Sequence, residues 1–115
     1  MNFLANKVEK IYDIIENKGG ENIVILKIKE VSSLTDYFII TSADNERKVK
    51  AIAEEIEYVM ANEGIEVNGK DGYSTSRWIL LDYGDCIVHI FLNEERGFYD
   101  LERLWKDAPY VNLNK

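Results

Sequence analysis

Arg77-Trp78-Ile79-Leu80-Leu81-Asp82-Tyr83-Gly84-Asp85-Cys86-Ile87-Val88-His89-Ile90-Phe91 decides the fold. Two apolar runs flank Gly84, a residue that reaches positive φ without steric cost, and the stretch reads as a β-hairpin. Side chains alternate along a strand, so Trp78, Leu80 and Asp82 share one face of the first arm and Ile79, Leu81 and Tyr83 the other. On the second arm Ile87, His89 and Phe91 are separated in the same way from Cys86, Val88 and Ile90. One face thus combines a carboxylate and a histidine with large apolar groups.

N-terminal to the hairpin, Leu4, Val8, Ile11, Tyr12 and Ile15 recur at helical spacing. Lys18-Gly19-Gly20 supplies a stop, which predicts a helix over about residues 3 to 18. Ile23 to Leu26 is a continuous apolar run that alternates through Lys27, Ile28 and Lys29, as a strand leaving the sheet centre for solvent would. Ser32 to Thr35 reads as a turn and Tyr37 to Thr41 as a second strand. Ser42 or Asp44 is placed to cap a second helix, striped by Val49, Ile52, Ala53, Ile56, Val59 and Met60 and ended by Gly64. Ile65 to Val67 is expected as a short strand, and Asn68 to Ser76 as a flexible polar loop. Beyond the hairpin, a last helix starts at Glu94, with Phe98, Leu101, Leu104 and Trp105 as its inner side and Tyr99 and Arg103 off that stripe. Pro109 prevents its extension.

The expected domain is 1–107, followed by a loose tail over 108–115. Helices of this length must bury their stripes on a sheet. The predicted class is therefore α/β (α+β), two layers, with a mixed sheet and helices mainly on one face. The other sheet face must be solvated, paired or used, and the Trp78/Leu80 face is the candidate for use.

At 115 residues the chain supports one core. Its formal charge of −7 disfavours bare nucleic acid and favours basic partners. One cysteine excludes an intramolecular disulfide and a thiolate zinc site, and fits a reducing cytosol. No run approaches the roughly 20 apolar residues of a membrane span, and the N-terminus lacks the pattern of an export signal. The expected location is the cytoplasm.

The candidate chemistry is sparse. Any Ser-His or Cys-His pair must use His89, and Cys86 falls on the opposite face by pleat parity, so no catalytic dyad is expected. Asp82 and Asp85 bracket a tight turn, where aspartate is favoured for structural reasons, and no metal site is assigned. Asp85 is read as structural. Asp82 ends the Trp78/Leu80 row, where a carboxylate suits an arginine or lysine of another protein. Arg47, Lys48 and Lys50 open the second helix against its dipole, at about 0.3–1 kcal/mol per charge. They read as a solvated face, and the competing reading is a phosphate site formed with Ser42.

Several of these segments resemble one family. Ser33-Leu34-Thr35-Asp36-Tyr37-Phe38, Thr41-Ser42 and Arg47 to Ala53 are similar to the first half of the Iojap family, whose bacterial members are the ribosomal silencing factors. Trp78 to Asp85, Val88-His89-Ile90-Phe91 and Tyr99-Asp100-Leu101-Glu102-Arg103-Leu104-Trp105 are similar to its second half. Ala43 and Lys48 depart from the family's usual glycine and glutamine, which weakens a phosphate loop.

The resemblance implies a nucleotidyltransferase-like fold without catalysis or cofactor. It also implies binding to ribosomal protein fourteen of the large subunit, at the face that meets the small subunit. A bound factor would then block subunit joining and repress translation. Carried over by motif, the family's contact residues fall on Trp78, Leu80 and Asp82, the row that alternation isolates, and His89 on the neighbouring arm is expected as a fourth partner-binding residue. Direct sequence-specific nucleic-acid binding and membrane contact are not expected, and the exposed hairpin face leaves the free protein open to homodimer formation. The alternative, a nucleotidyltransferase-type enzyme with phosphate at the Ser42–Arg47 turn, would need D-x-D carboxylates on the hairpin strand. Leu80 stands where one of them is required.

Overall fold

The structure, a computed structural model, describes residues 3–113. The side chain of Leu4 and residues 114–115 of the expected tail lie outside the described part. Helix α1 (Phe3–Asn17) leads into β1 (Glu21–Lys27), β2 (Tyr37–Ala43) and helix α2 (Glu46–Asn62). Strands β3 (Gly69–Asp71), β4 (Trp78–Asp82) and β5 (Cys86–Leu92) follow, then the short helices α3 (Asn93–Tyr99) and α4 (Leu101–Leu104).

The strands form one mixed sheet in the order β1-β2-β5-β4-β3. β2 and β5 run parallel at its centre, and the other neighbours are antiparallel. Centrality explains why every residue of β5 is buried and why the strand reads as an unbroken apolar run.

On one face of the sheet, α1 and α2 bury Val8, Ile11, Ile15, Val49, Ile52 and Ile56 against Ile39, Ile79, Leu81, Val88 and Ile90. The stripes of both helices match the helical period of the sequence, with Val59 half-buried at the margin. Asn45 caps α2 by accepting the Lys48 N–H at 2.8 Å. The expected caps Ser42 and Asp44 do not: Ser42 belongs to β2 and is buried, and Asp44 lies one residue outside the capping position. Lys7 of α1 reaches Asp85 in the hairpin turn at 2.9 Å, which gives Asp85 its structural role.

Five segments differ from the sequence expectation. β1 stops at Lys27, and Ile28–Glu30 turns into a short 3-10 helix that buries Ile28 instead of continuing as a strand toward solvent. The third strand is Gly69–Asp71, not 65–67. Ile65 donates its N–H to Met60 O and closes off α2, while Asn68 donates to Asp82 O and begins the pairing with β4.

The 68–76 segment is pinned where flexibility was expected. The Tyr73 hydroxyl donates to the Glu57 carboxylate, and a Cβ on Gly72, at φ 94°, would lie 2.0 Å from Trp78 O. The expected tail is tied to the sheet edge: Lys27 N–H donates to Pro109 O at 2.8 Å and Val111 N–H to Ile25 O at 2.9 Å.

The last helix is broken at Asp100, whose φ of 49° is left-handed. This break overturns the expected inner stripe. Leu101 is buried and Trp105 half-buried, but Phe98 and Leu104 are 82% and 72% exposed. The segment is anchored by Arg96. Its Nη1 donates to Ser42 Oγ at 3.1 Å, and its Nη2 meets Glu102 Oε2 at 3.1 Å.

Candidate functional site

β4 and β5 place the sequence-predicted residues together on the face away from α1 and α2. Trp78 pairs with Phe91, Leu80 with His89 and Asp82 with Ile87. The alternation read from the sequence therefore holds, because a period of two leaves no freedom once one face is sealed by helices. Beneath the row lie Phe38, Ile40, Ile87 and Phe91, with Leu101 and Ala108 of the C-terminal segment closing part of the face. That cover is short. Trp78, Leu80 and Asp82 remain half-buried in a line along β4, while their neighbours Ile79 and Leu81 are sealed on the helix side.

Trp78 is held from several sides. Its ring stacks on Phe91 at 4.8 Å between centroids and packs on Tyr99 at 4.6 Å. Its indole N–H donates to His89 Nδ1 at 3.2 Å. His89 itself is only 4% exposed, so it lies under the row instead of standing on it. Burial among apolar rings lowers its pKa to about 4, and the imidazole is neutral at pH 7. Asp82 accepts the Gly84 N–H at 2.7 Å and so shapes the hairpin turn while keeping a half-exposed carboxylate.

Cys86 lies on the helix side, and burial pushes its thiol up to about 12, which leaves it protonated and far from His89 chemistry. Among the described residues, no group of three or more His, Cys, Asp or Glu side chains is arranged to hold a metal. At the competing phosphate turn, Ser42 is buried and its hydroxyl is engaged by Arg96. Arg47 is exposed on the first turn of α2.

Two residues of the site were not placed by sequence reasoning. Arg96 locks the C-terminal segment over the sheet, and its sequence signal, a lone cation in the first turns of a short helix, is not distinctive. Tyr99 reads from the sequence as lying off the helix stripe and available to an interface, without a partner inside the fold. Its ring packs on Trp78 from the last position of α3, next to the break at Asp100.

The family model described as "Ribosomal silencing factor during starvation" matches residues 3–115. The chain belongs to the ribosomal silencing factor family. It is 42% identical over 99 residues to the ribosomal silencing factor of Halalkalibacterium halodurans, covering 86% of this chain and 85% of that protein. It is 39% identical over 99 residues to the ribosomal silencing factor of Bacillus subtilis, covering 86% and 84%. A crystal structure of a Bacillus halodurans protein superposes with a TM-score of 0.84 at 37% identity, covering 95% of this chain and 99% of that one. Family membership thus rests on the family model and on sequence identity, and the superposition shows a shared fold. It makes the Trp78 row a surface of a ribosomal silencing factor.

Proposed function

We propose that this chain represses translation in the cytoplasm by binding ribosomal protein fourteen of the large ribosomal subunit and obstructing its union with the small subunit. The observation that carries this reading is the line of half-open side chains on β4, in which an aromatic, an aliphatic and a carboxylate stand in sequence on a strand hydrogen-bonded on both sides. Aromatic side chains in such positions are typical binding anchors, and a site built on a strand holds its geometry better than one on a loop. Trp78 and Leu80 supply the apolar anchor, and Asp82 faces a basic residue of the partner. The net charge of −7 suits a basic ribosomal protein and works against direct contact with RNA phosphates. Obstruction needs no chemistry, only bulk at the subunit interface.

Sucrose-gradient analysis of purified subunits tests this reading. With the protein present and magnesium restored, free subunits persist and the protein travels with the large one. Truncating a buried aromatic anchor typically costs about 2 kcal/mol or more in binding. Trp78→Ala, with its folding checked by circular dichroism, is therefore expected to leave the large-subunit fraction and to allow subunits to join. A folded Trp78→Ala protein that still travels with large subunits and still blocks joining would remove Trp78 from the interface.

A further inference from the structure

Stacking on Phe91 and Tyr99 secures the area of the Trp78 ring but not its orientation. An indole turned over about its terminal torsion covers nearly the same apolar surface. The bond from indole Nε1–H to His89 Nδ1, at 3.2 Å, distinguishes the two orientations, because only one brings the N–H to the acceptor. Accepting at Nδ1 leaves the proton of neutral His89 on Nε2, and Nε2 is buried without a hydrogen-bond partner among the described residues. The nearest ring, Phe38, meets the imidazole edge-on at 4.6 Å between centroids.

An orphaned buried donor costs stability, and a leucine of similar bulk would not incur that cost. What leucine cannot do is accept the indole N–H. We propose that His89 is a positioning residue that fixes the Trp78 indole in the orientation presented to the ribosomal partner. The proposal rests on the reading of Trp78 as the anchor. His89 does not touch the partner and acts only through Trp78.

The test uses the full chain carrying Trp105→Phe, so that Trp78 provides the single indole N–H signal. His89→Leu removes the acceptor. His89→Asn keeps an oxygen that can reach the position of Nδ1. Three quantities are read for each variant: the nitrogen-15 indole resonance, the melting temperature, and affinity for purified large subunits by co-sedimentation.

The expected result for His89→Leu is a shifted, faster-exchanging indole N–H, an unchanged or higher melting temperature, and roughly five- to tenfold weaker binding. His89→Asn recovers most of that affinity. Undiminished binding by His89→Leu, with its indole signal displaced, overturns the proposal. So does a loss of affinity in both variants that tracks a fall in melting temperature. If Trp78→Ala binds as tightly as the parent chain, it is the anchor reading that fails, which separates the two claims.

Discussion

The two faces of this sheet are made from the same strands and differ in what covers them. On one side, α1 and α2 run 15 and 17 residues and leave Ile39, Ile52, Ile56, Ile79, Leu81, Val88 and Ile90 with no exposed surface. On the other, helices of 7 and 4 residues are broken at Asp100 and cover only part of the strands. The first face is aliphatic and sealed. The second carries Trp78, His89, Asp82 and the Arg96–Ser42 bond, and it stays half-open along β4. Stability is concentrated where cover is complete, and the proposed recognition surface lies where it is not. Two edits to the sequence, one per face, therefore have different consequences.

The largest effect is expected on the sealed face. Ile52→Ala removes three carbons from a fully buried position and leaves a cavity between α2 and the sheet, at a cost of roughly 2–5 kcal/mol. Urea denaturation reads that loss directly. The fraction that remains folded should bind large subunits with unchanged affinity, because Ile52 is on the opposite side of the sheet from Trp78. A loss below about 1 kcal/mol would show that this face does not hold the core.

The next effect belongs to the half-open face and sharpens the contrast, since it comes from a titratable group. His89 is neutral in the folded protein with a pKa lowered to about 4 by burial, against an ordinary value near 6.5. Between those values the unfolded chain takes up a proton that the folded one excludes. Stability is thus fully present above pH 6.5 and falls as the pH drops through 4, by a total on the order of 3 kcal/mol. Protonation would also set an Nδ1–H against the Trp78 indole N–H, two donors facing each other. Carboxylates titrate in the same range, so the comparison is with His89→Leu, whose stability should fall less steeply between pH 6.5 and 4. Parallel curves for the two proteins would place the acid sensitivity elsewhere.

Much of this contrast can be read from local periodicity. The parity of Trp78, Leu80 and Asp82 against Ile79 and Leu81 survives because β4 is flanked by a hairpin turn that fixes its register, with Gly84 at φ 85°. The stripes of α1 and α2 survive because both helices face one continuous surface. The C-terminal segment does not. Phe98, Leu101, Leu104 and Trp105 fit a helical stripe, yet Arg96 pulls the chain onto Ser42 and Glu102, and the left-handed Asp100 turns Phe98 and Leu104 outward. That outcome is decided by bonds between residues 54 positions apart, which no window of the sequence contains. His89 shows the same limit within the site. Alternation puts it on the correct face, but its depth under Trp78 depends on the pairing of Leu80 with His89 and on the cover supplied by Phe38.

The smallest effect separates structure from recognition within a single side chain. Asp82 accepts the Gly84 N–H at 2.7 Å and also presents a half-exposed charge at the end of the Trp78 row. Asparagine keeps an oxygen for the turn and discards the charge, whereas alanine discards both. Asp82→Asn is therefore expected to unfold at nearly the parental urea concentration, and Asp82→Ala to lose about 1 kcal/mol, the net worth of one hydrogen bond. Against large subunits both should weaken alike, by roughly 0.2–1 kcal/mol for a partly exposed ion pair, and the deficit should shrink as salt is raised. Asn binding as tightly as Asp at low salt would assign the carboxylate wholly to the hairpin turn and leave the apolar pair, Trp78 and Leu80, as the recognition element of this face.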